Sequence, residues 1–322
     1  MISKDLIGYI AGKAKISDTS LVEKDFIIQS LLLGLSKNGY FTDNYAFKGG
    51  TCLIKCYLGY YRFSEDLDFT YKKQGVFENK SEKAIRKMLS SEISKLMDVI
   101  AALCENVGLD FAATKNDHRY VEIGGSNRFL TLKARYKSSV DGREYFIKFQ
   151  FNFVENIIYN FVRKKAEPLI GKIDEKEAKA LFSQESIVLL SRPALDAYDI
   201  KEILLEKVRA ILTRRGVKER DFVDVCLIIK KLGKDISSFR KEIIKKTLFM
   251  LRFEKYRENL AEKLKIKTWI KPGEERYLLL KPIDGFHSYL KEIEPFLNEI
   301  ALEISKIESK NMLQNKDMML IN

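Results

Sequence analysis

Two aspartates two residues apart, Asp66 and Asp68, open an alternating segment that runs to Tyr71, and a glycine pair, Gly49-Gly50, lies shortly before them. In an extended strand Leu67, Phe69 and Tyr71 fall on one face while Asp66, Asp68 and Thr70 fall on the other, so two carboxylates project side by side from an otherwise apolar strand. Like charges that close repel, and the arrangement persists best around a divalent cation. Hard oxygen ligands completed by substrate phosphates suit Mg²⁺, with Mn²⁺ as the alternative ion. The glycines supply the other half. Two residues without a Cβ let the backbone turn sharply and approach an anion closely, and Thr51 to Leu58 reads as the helix that follows. A Gly-Gly turn and an acidic strand end are each ordinary alone. Strand, glycine turn, helix and Asp-x-Asp strand in this order imply a metal-dependent phosphoryl-transfer site.

A second group lies far downstream. On a helical wheel of Lys201 to Thr213, Ile203, Leu204, Val208, Ile211 and Leu212 form an apolar arc, and Lys207 lies inside it. An inward lysine needs an anion, since an unpaired buried ammonium costs several kcal/mol or loses its proton. It either reaches nucleotide phosphates or snorkels to the edge of its domain. Asp221 and Asp224, three apart on the next helical segment, share a face, where a surface ion-pair pattern with Lys218 and Arg220 is the plain alternative.

The elements that must hold these residues can be read from periodicity. Ser20 to Lys37 reads as an amphipathic helix and Phe77 to Val107 as one or two more. Strands are expected around Tyr120 to Ile123, Asn127 to Lys137 and Glu144 to Phe153, the last two joined through an Asp141-Gly142 turn. After Pro168 and again after Pro193 the chain is expected to be helical nearly to its end, with a pause at Trp269 to Glu275. The fold class is α+β. A lobe with a mixed sheet over residues 1–192 carries the glycine turn and the aspartates, a mostly helical basic lobe over 193–310 carries Lys207 and Asp221, and 311–322 form a loose tail. The cleft between lobes is the expected place for catalysis.

Several blocks of the chain resemble the AbiEii-type (MenT-type) nucleotidyltransferase toxins, within the DNA polymerase beta-like nucleotidyltransferase superfamily. Val22-Glu23-Lys24-Asp25-Phe26 is similar to the family's opening helix, and Phe47-Lys48-Gly49-Gly50-Thr51 to its glycine motif. Arg62-Phe63-Ser64-Glu65-Asp66-Leu67-Asp68-Phe69 is similar to its metal-binding motif. Glu206-Lys207-Val208-Arg209-Ala210, followed by Arg214-Arg215 and Arg220-Asp221-Phe222-Val223-Asp224, resembles its third and fourth motifs. The resemblance implies a nucleotidyltransferase-fold N-terminal lobe and a Mg²⁺-dependent transfer from an NTP, in the toxin of a toxin–antitoxin or phage-defence pair. It assigns Asp66 and Asp68 to the metal, and Lys207 and Asp221 beside them to catalysis, with Asp224 ordering the helix or supporting Lys207. Lys48, Gly49, Gly50, Thr51, Arg62 and Ser64 fall to the nucleotide, Lys48 or Arg62 neutralising its charge. The acceptor it implies is an RNA hydroxyl, such as the tRNA acceptor end, and the partner a small winged-helix antitoxin.

The superfamily usually has a third carboxylate on a neighbouring strand. At the matching place this chain has Gln150, whose amide cannot act as a general base. Either two aspartates suffice, or Asp221 or Glu155 substitutes. Transfer to a protein side chain, or a nucleotide- or RNA-binding regulator without turnover, are the alternative functions, and Gln150 is the argument for the regulator.

Composition fits a polyanionic partner. The 322 residues are 46% hydrophobic and 32% charged, enough for a sizeable core, and carry a net charge of +12. Lys201 to Lys267 hold twenty Lys or Arg against ten Asp or Glu, so +10 of that excess lies in one segment. Clustered cations gain from counterion release on RNA, and Arg252, Lys255 and Arg257 around Tyr256 are the expected contacts. Four cysteines and two histidines are too scattered for a zinc site, and Cys52 and Cys56 read as small core residues. No signal peptide or membrane span is legible, so a reducing cytoplasm is the expected compartment.

Overall fold

The computed structural model of the chain describes residues 2–171, 173–266, 269–270 and 279–320, the segment from 311 by its backbone alone. The chain divides into two compact units, one formed by Met1–Glu155 and Phe161–Tyr198, the other by Asn156–Asn160 and Asp199–Asn322.

The first unit is built on a seven-stranded mixed sheet. Its strands are β1 (Tyr45–Lys48), β2 (Asp66–Tyr71), β3 (Val121–Gly124), β4 (Phe129–Lys137), β5 (Glu144–Asn152), β6 (Val162–Lys165) and β7 (Ala194–Ala197), in the spatial order β3-β4-β5-β2-β1-β7-β6. β1 runs antiparallel to β2 and parallel to β7, and β2 runs parallel to β5. The β4–β5 hairpin closes where expected: Gly142 has φ +75°, and its N–H donates to Ser138 O at 3.0 Å. Alternation decides which face is wet. In β5, Ile147, Phe149 and Phe151 are buried while Lys148, Gln150 and Asn152 are not, and β2 buries Leu67 and Phe69 beside the half-buried Asp66 and Asp68. The buried face is aromatic: Phe69 stacks on Phe151 with centroids 5.4 Å apart and meets Phe41 edge-on at 4.9 Å. Each such ring contributes roughly 1.5–3 kcal/mol by leaving water, which fixes the register and with it the aspartates.

Helices α1 (Lys4–Ala14), α2 (Thr19–Lys37), α3 (Gly39–Asn44), α4 (Gly49–Leu53), α5 (Glu82–Val107), α6 (Glu175–Leu181) and α7 (Ser186–Leu189) complete this unit. The expected helix at Thr51 to Leu58 starts two residues earlier, and from Ile54 to Leu58 it widens into a π-helical turn. Lys55 on that turn is buried, and its ammonium meets Asp25 Oδ1 at 2.9 Å, Gln29 Oε1 at 3.1 Å and the Tyr60 hydroxyl. A buried ammonium needs such a shell, and here it ties the segment after the glycine turn to α2. Glu23, also on α2, accepts from Ser138 and Ser139 at the hairpin turn.

The second unit holds α8 (Ile200–Thr213), α9 (Glu219–Leu232), α10 (Arg240–Leu251), α11 (Glu254–Lys263) and α12 (Phe286–Leu320). The expectation of helix after Pro168 holds for α6 and α7, but after Pro193 it needs correction, because β7 follows Pro193 directly and α8 begins only at Ile200; β6, before Pro168, is a further strand. Four-residue strands carry little periodicity, and tertiary pairing, Phe47 with Ala197, makes them. Helix continues to Leu320, over most of the segment expected to be a loose tail. Of the pause at Trp269 to Glu275, residues 271–275 lie outside the described residues. Among the described residues no helix is long and apolar enough to cross a membrane.

Candidate active site

In the first unit the glycine turn and the Asp-x-Asp strand meet directly. β1 ends at Lys48 and the chain turns at Gly49, whose φ of +79° suits a residue without a side chain. The close approach is the stronger constraint: a Cβ on Gly49 would lie 2.1 Å from Asp68 Oδ2. On Gly50 it would lie 2.9 Å from both Arg62 Nη2 and Ser64 Oγ. Thr51 Oγ1 donates to the Asp66 carbonyl at 2.5 Å and sits 2.9 Å from Ser64 Oγ. Gly49, Gly50, Thr51, Arg62, Ser64, Asp66 and Asp68 therefore form one neighbourhood, although the sequence spreads them over twenty residues.

The cations of that neighbourhood differ from the expectation. Lys48, the register partner of Asp68 across β1 and β2, is buried and donates to Glu155 Oε1 at 2.5 Å. Glu155 also accepts from Asn152 Nδ2 and from the Tyr198 hydroxyl. Arg62 is buried too, with Nη1 donating to Phe63 O at 2.7 Å. Gln150 lies beside Asp68 in the parallel β2–β5 register, where a third carboxylate was sought, and Lys148 lies beside Asp66. Lys148 went unassigned although its place on the polar face of β5 was legible.

Asp66 and Asp68 fit a divalent cation of the Mg²⁺ kind. Such an ion keeps several waters and needs only one or two protein carboxylates when substrate phosphates complete its shell. Both carboxylates are half-buried rather than enclosed on the polar face of β2, so an ion with its waters can reach them. Among the described residues no group of three or more His, Cys, Asp or Glu could hold a metal, so a metal at this pair would need further ligands from substrate or water. Cys52 is a buried free thiol, pushed up in pKa by burial and then by its neighbour Cys56, in keeping with a core role.

The second unit brings Lys207, Asp221 and Asp224 together. Lys207 on α8 lies 2.9 Å from Asp221 Oδ1 and 2.7 Å from Asp224 Oδ2 on α9, and Arg214 reaches Asp221 Oδ2 at 2.5 Å. The Asp221 side chain is 3% exposed and that of Asp224 fully buried. Burial works against the charge on Asp221, but Lys207 and Arg214 outweigh it and hold the carboxyl below the ordinary carboxylate value. A neighbouring cluster escaped the sequence reading: buried Glu202 accepts from Lys246 at 2.5 Å and from the N–H groups of Ile158 and Tyr159. Its signal was weak, since nothing local marks a glutamate on an amphipathic helix as the inward one.

Of the expected RNA contacts, Arg252 and Lys255 are exposed. Arg252 lies 4.0 Å from the Phe249 ring centroid and Lys255 4.9 Å from that of Tyr256. Arg257 is half-buried and donates to Leu251 O at 2.6 Å, closing the end of α10.

A glycine turn set against an Asp-x-Asp strand has the groups to receive phosphate and a divalent ion, and comparison with known proteins gives the class, a nucleotidyltransferase. Residues 31–316 match the family described as "Nucleotidyl transferase AbiEii toxin, Type IV TA system", and the chain belongs to this family. The family brings with it an NTP substrate and an antitoxin partner. No match was found among curated proteins. Among solved structures, the chain is similar to JHP933 from Helicobacter pylori, at 14% identity and TM-score 0.42, over 93% of this chain and 98% of that one. It is also similar to a candidate nucleotidyltransferase from H. pylori, at 17% identity and TM-score 0.40, over 92% and 98%.

Proposed function

We propose that this protein transfers a nucleotide from an NTP to an RNA hydroxyl, with the tRNA acceptor end as the first substrate to test, in a Mg²⁺-dependent reaction. The observation that carries this reading is the contact that a Gly49 Cβ would make with Asp68 Oδ2 at 2.1 Å: backbone and carboxylate are pressed together with no side chain between them. A divalent ion, when bound, neutralises the phosphate charge and orients the donor. Asp66 and Asp68 hold that ion. The turn at Gly49 to Thr51 receives phosphate, with the Thr51 and Ser64 hydroxyls beside it. Lys48 and Arg62 contribute positive potential from buried positions rather than by direct reach. Lys207 and Asp221 keep the catalytic assignment that the family motifs imply, with Asp224 fixing Lys207. The acceptor oxygen attacks the α-phosphorus and gives up its proton to solvent, the bond from the α-phosphorus to the oxygen bridging it to the β-phosphate breaks, and pyrophosphate leaves.

The place of action is the cytoplasm, where NTP and tRNA both occur, and a winged-helix antitoxin encoded beside the gene is the proposed partner. Growth inhibition by this protein serves a toxin–antitoxin or phage-defence role. Purified protein incubated with each labelled NTP and total RNA tests the reading. Label should enter RNA with Mg²⁺ and wild type but not with Asp68→Asn. Label in protein, or none in either, refutes it.

A further inference from the structure

We propose that Lys148 is the cation that receives the anionic phosphate chain of the nucleotide and that, until it arrives, stands against Asp66. This rests on the transferase reading above and adds a residue to it. The motifs point to Lys48 and Arg62 as the neutralising cations, yet both side chains are buried and engaged, Lys48 with Glu155 and Arg62 with Phe63 O. An ammonium already held at 2.5 Å by a carboxylate has little to offer a substrate.

Lys148 differs in each respect. It lies on the same polar sheet face as the aspartates, opposite Asp66 in the parallel β2–β5 register. Its side chain is 31% exposed and that of Asp66 33%. Among the described residues their charged groups have only each other, and Nζ stands 3.9 Å from Oδ2, too far for a hydrogen bond. Such a pair is loosely held. A lysine stem with four rotatable carbons can leave Asp66 for a phosphate oxygen at little cost, and an ammonium suits phosphate as a point charge.

The position has a consequence for order of binding. A positive charge beside Asp66 opposes a bare divalent cation at Asp66 and Asp68. Once a polyphosphate draws Lys148 away, Asp66 is released to the metal. Lys148 thus couples the two ligands, disfavouring metal without nucleotide and favouring both together.

The test uses the full chain and two probes, Mn²⁺ alone and inorganic tripolyphosphate alone, titrated calorimetrically into wild type, Lys148→Met, Lys148→Arg and Lys133→Met. Lys133 is the neighbour of Lys148 on β4 and is paired with Glu122, so it controls for general basic charge. Lys148→Met should weaken tripolyphosphate about tenfold, the worth of one charged hydrogen bond, and tighten Mn²⁺ by roughly threefold. Lys148→Arg should keep tripolyphosphate within about twofold of wild type, and Lys133→Met should change neither. If wild type binds both probes and Lys148→Met binds tripolyphosphate as tightly, or if Lys133→Met weakens it equally, the assignment of Lys148 is overturned while the transferase reading stands. Wild type that binds neither probe overturns that reading and the inference with it.

Discussion

Asp66 with Asp68 and Asp221 with Asp224 are two pairs of acids beside a lysine, and the molecule treats them in opposite ways. On β2 the acids alternate with buried apolar residues on the polar face of the sheet, and the Lys148 ammonium stays 3.9 Å from Asp66. On α9 the acids face inward, and Lys207 closes on both within 2.9 Å. Distance and burial separate what residue type does not. A loosely paired, half-exposed acid can exchange its neighbour for a ligand, whereas a buried acid bonded to lysine is expensive to disturb and holds helices in place. The second arrangement still has a route to function, because Lys207 remains 13% exposed.

Breaking the buried member should have the largest effect. Lys207→Ala leaves Asp224 buried without its lysine, and removing one partner of such a pair costs about 3–5 kcal/mol. Urea denaturation should show that loss, while Lys148→Ala should stay within about 0.5 kcal/mol of wild type. Equal shifts for the two would erase the contrast. The outward pair should respond in rate instead. Asp68→Asn should lower nucleotide transfer by about a hundredfold or more, since one lost ligand misplaces the donor, with an unchanged near-UV circular dichroism spectrum. A folded Asp68→Asn variant that transfers label normally would remove the site from β2.

How far this contrast could be read beforehand depended on how local its signal was. The alternation of Asp66 to Tyr71 and of Tyr145 to Phe153 fixed two central strands, and the Asp141-Gly142 turn fixed the hairpin, because period and turn chemistry are properties of neighbouring residues. The inward place of Lys207 was legible from its helical wheel for the same reason. Periodicity did not join its partners to it, since spacing on α9 says which face Asp221 and Asp224 share and not what that face meets; only the family resemblance offered Asp224 as a support for Lys207. Lys55 with Asp25, thirty residues apart, and Lys48 with Glu155, more than a hundred apart, had no local sign. Each is set by the register of elements that only tertiary packing brings together. β7, with the sequence Ala-Leu-Asp-Ala, is a strand because β1 offers it an edge, not because its residues prefer one.

Acid sharpens the comparison at a smaller scale. Since Lys207 and Arg214 hold the folded-state pKa of Asp221 below its ordinary value of 3.8, its contribution to stability is complete above that value and is lost as pH falls through the folded pKa. The difference in urea midpoint between wild type and Asp221→Asn should therefore be flat from neutral pH to about pH 5 and shrink below pH 4. A difference that grows on acidification has the wrong sign for a carboxylate held ionised, and would place the charge of Asp221 elsewhere in the network.

The smallest expected effect tests whether anchoring of RNA is separable from both acid pairs. The excess of +10 between Lys201 and Lys267 should bind a polyanion by releasing counterions, so log affinity should fall linearly with log salt. The slope is about 0.9 per duplex phosphate neutralised, or about 0.7 per phosphate in a single strand. Arg252 and Lys255 are exposed and lie against aromatic rings, whereas Arg257 is bonded to Leu251 O, and reversing it would damage the end of α10. The informative variant is therefore Arg252→Glu with Lys255→Glu, leaving Arg257 intact. If each residue neutralises one phosphate, the double variant should lower the magnitude of the salt slope by roughly 1.4–1.8. Asp68→Asn should bind RNA with the wild-type slope while failing to modify it. Fluorescence anisotropy of labelled tRNA over a salt series reads both outcomes. A double variant with an unchanged slope would move the RNA contact away from α11, and an Asp68→Asn variant with a reduced slope would mean that the acceptor is held by the acid pair's own surroundings.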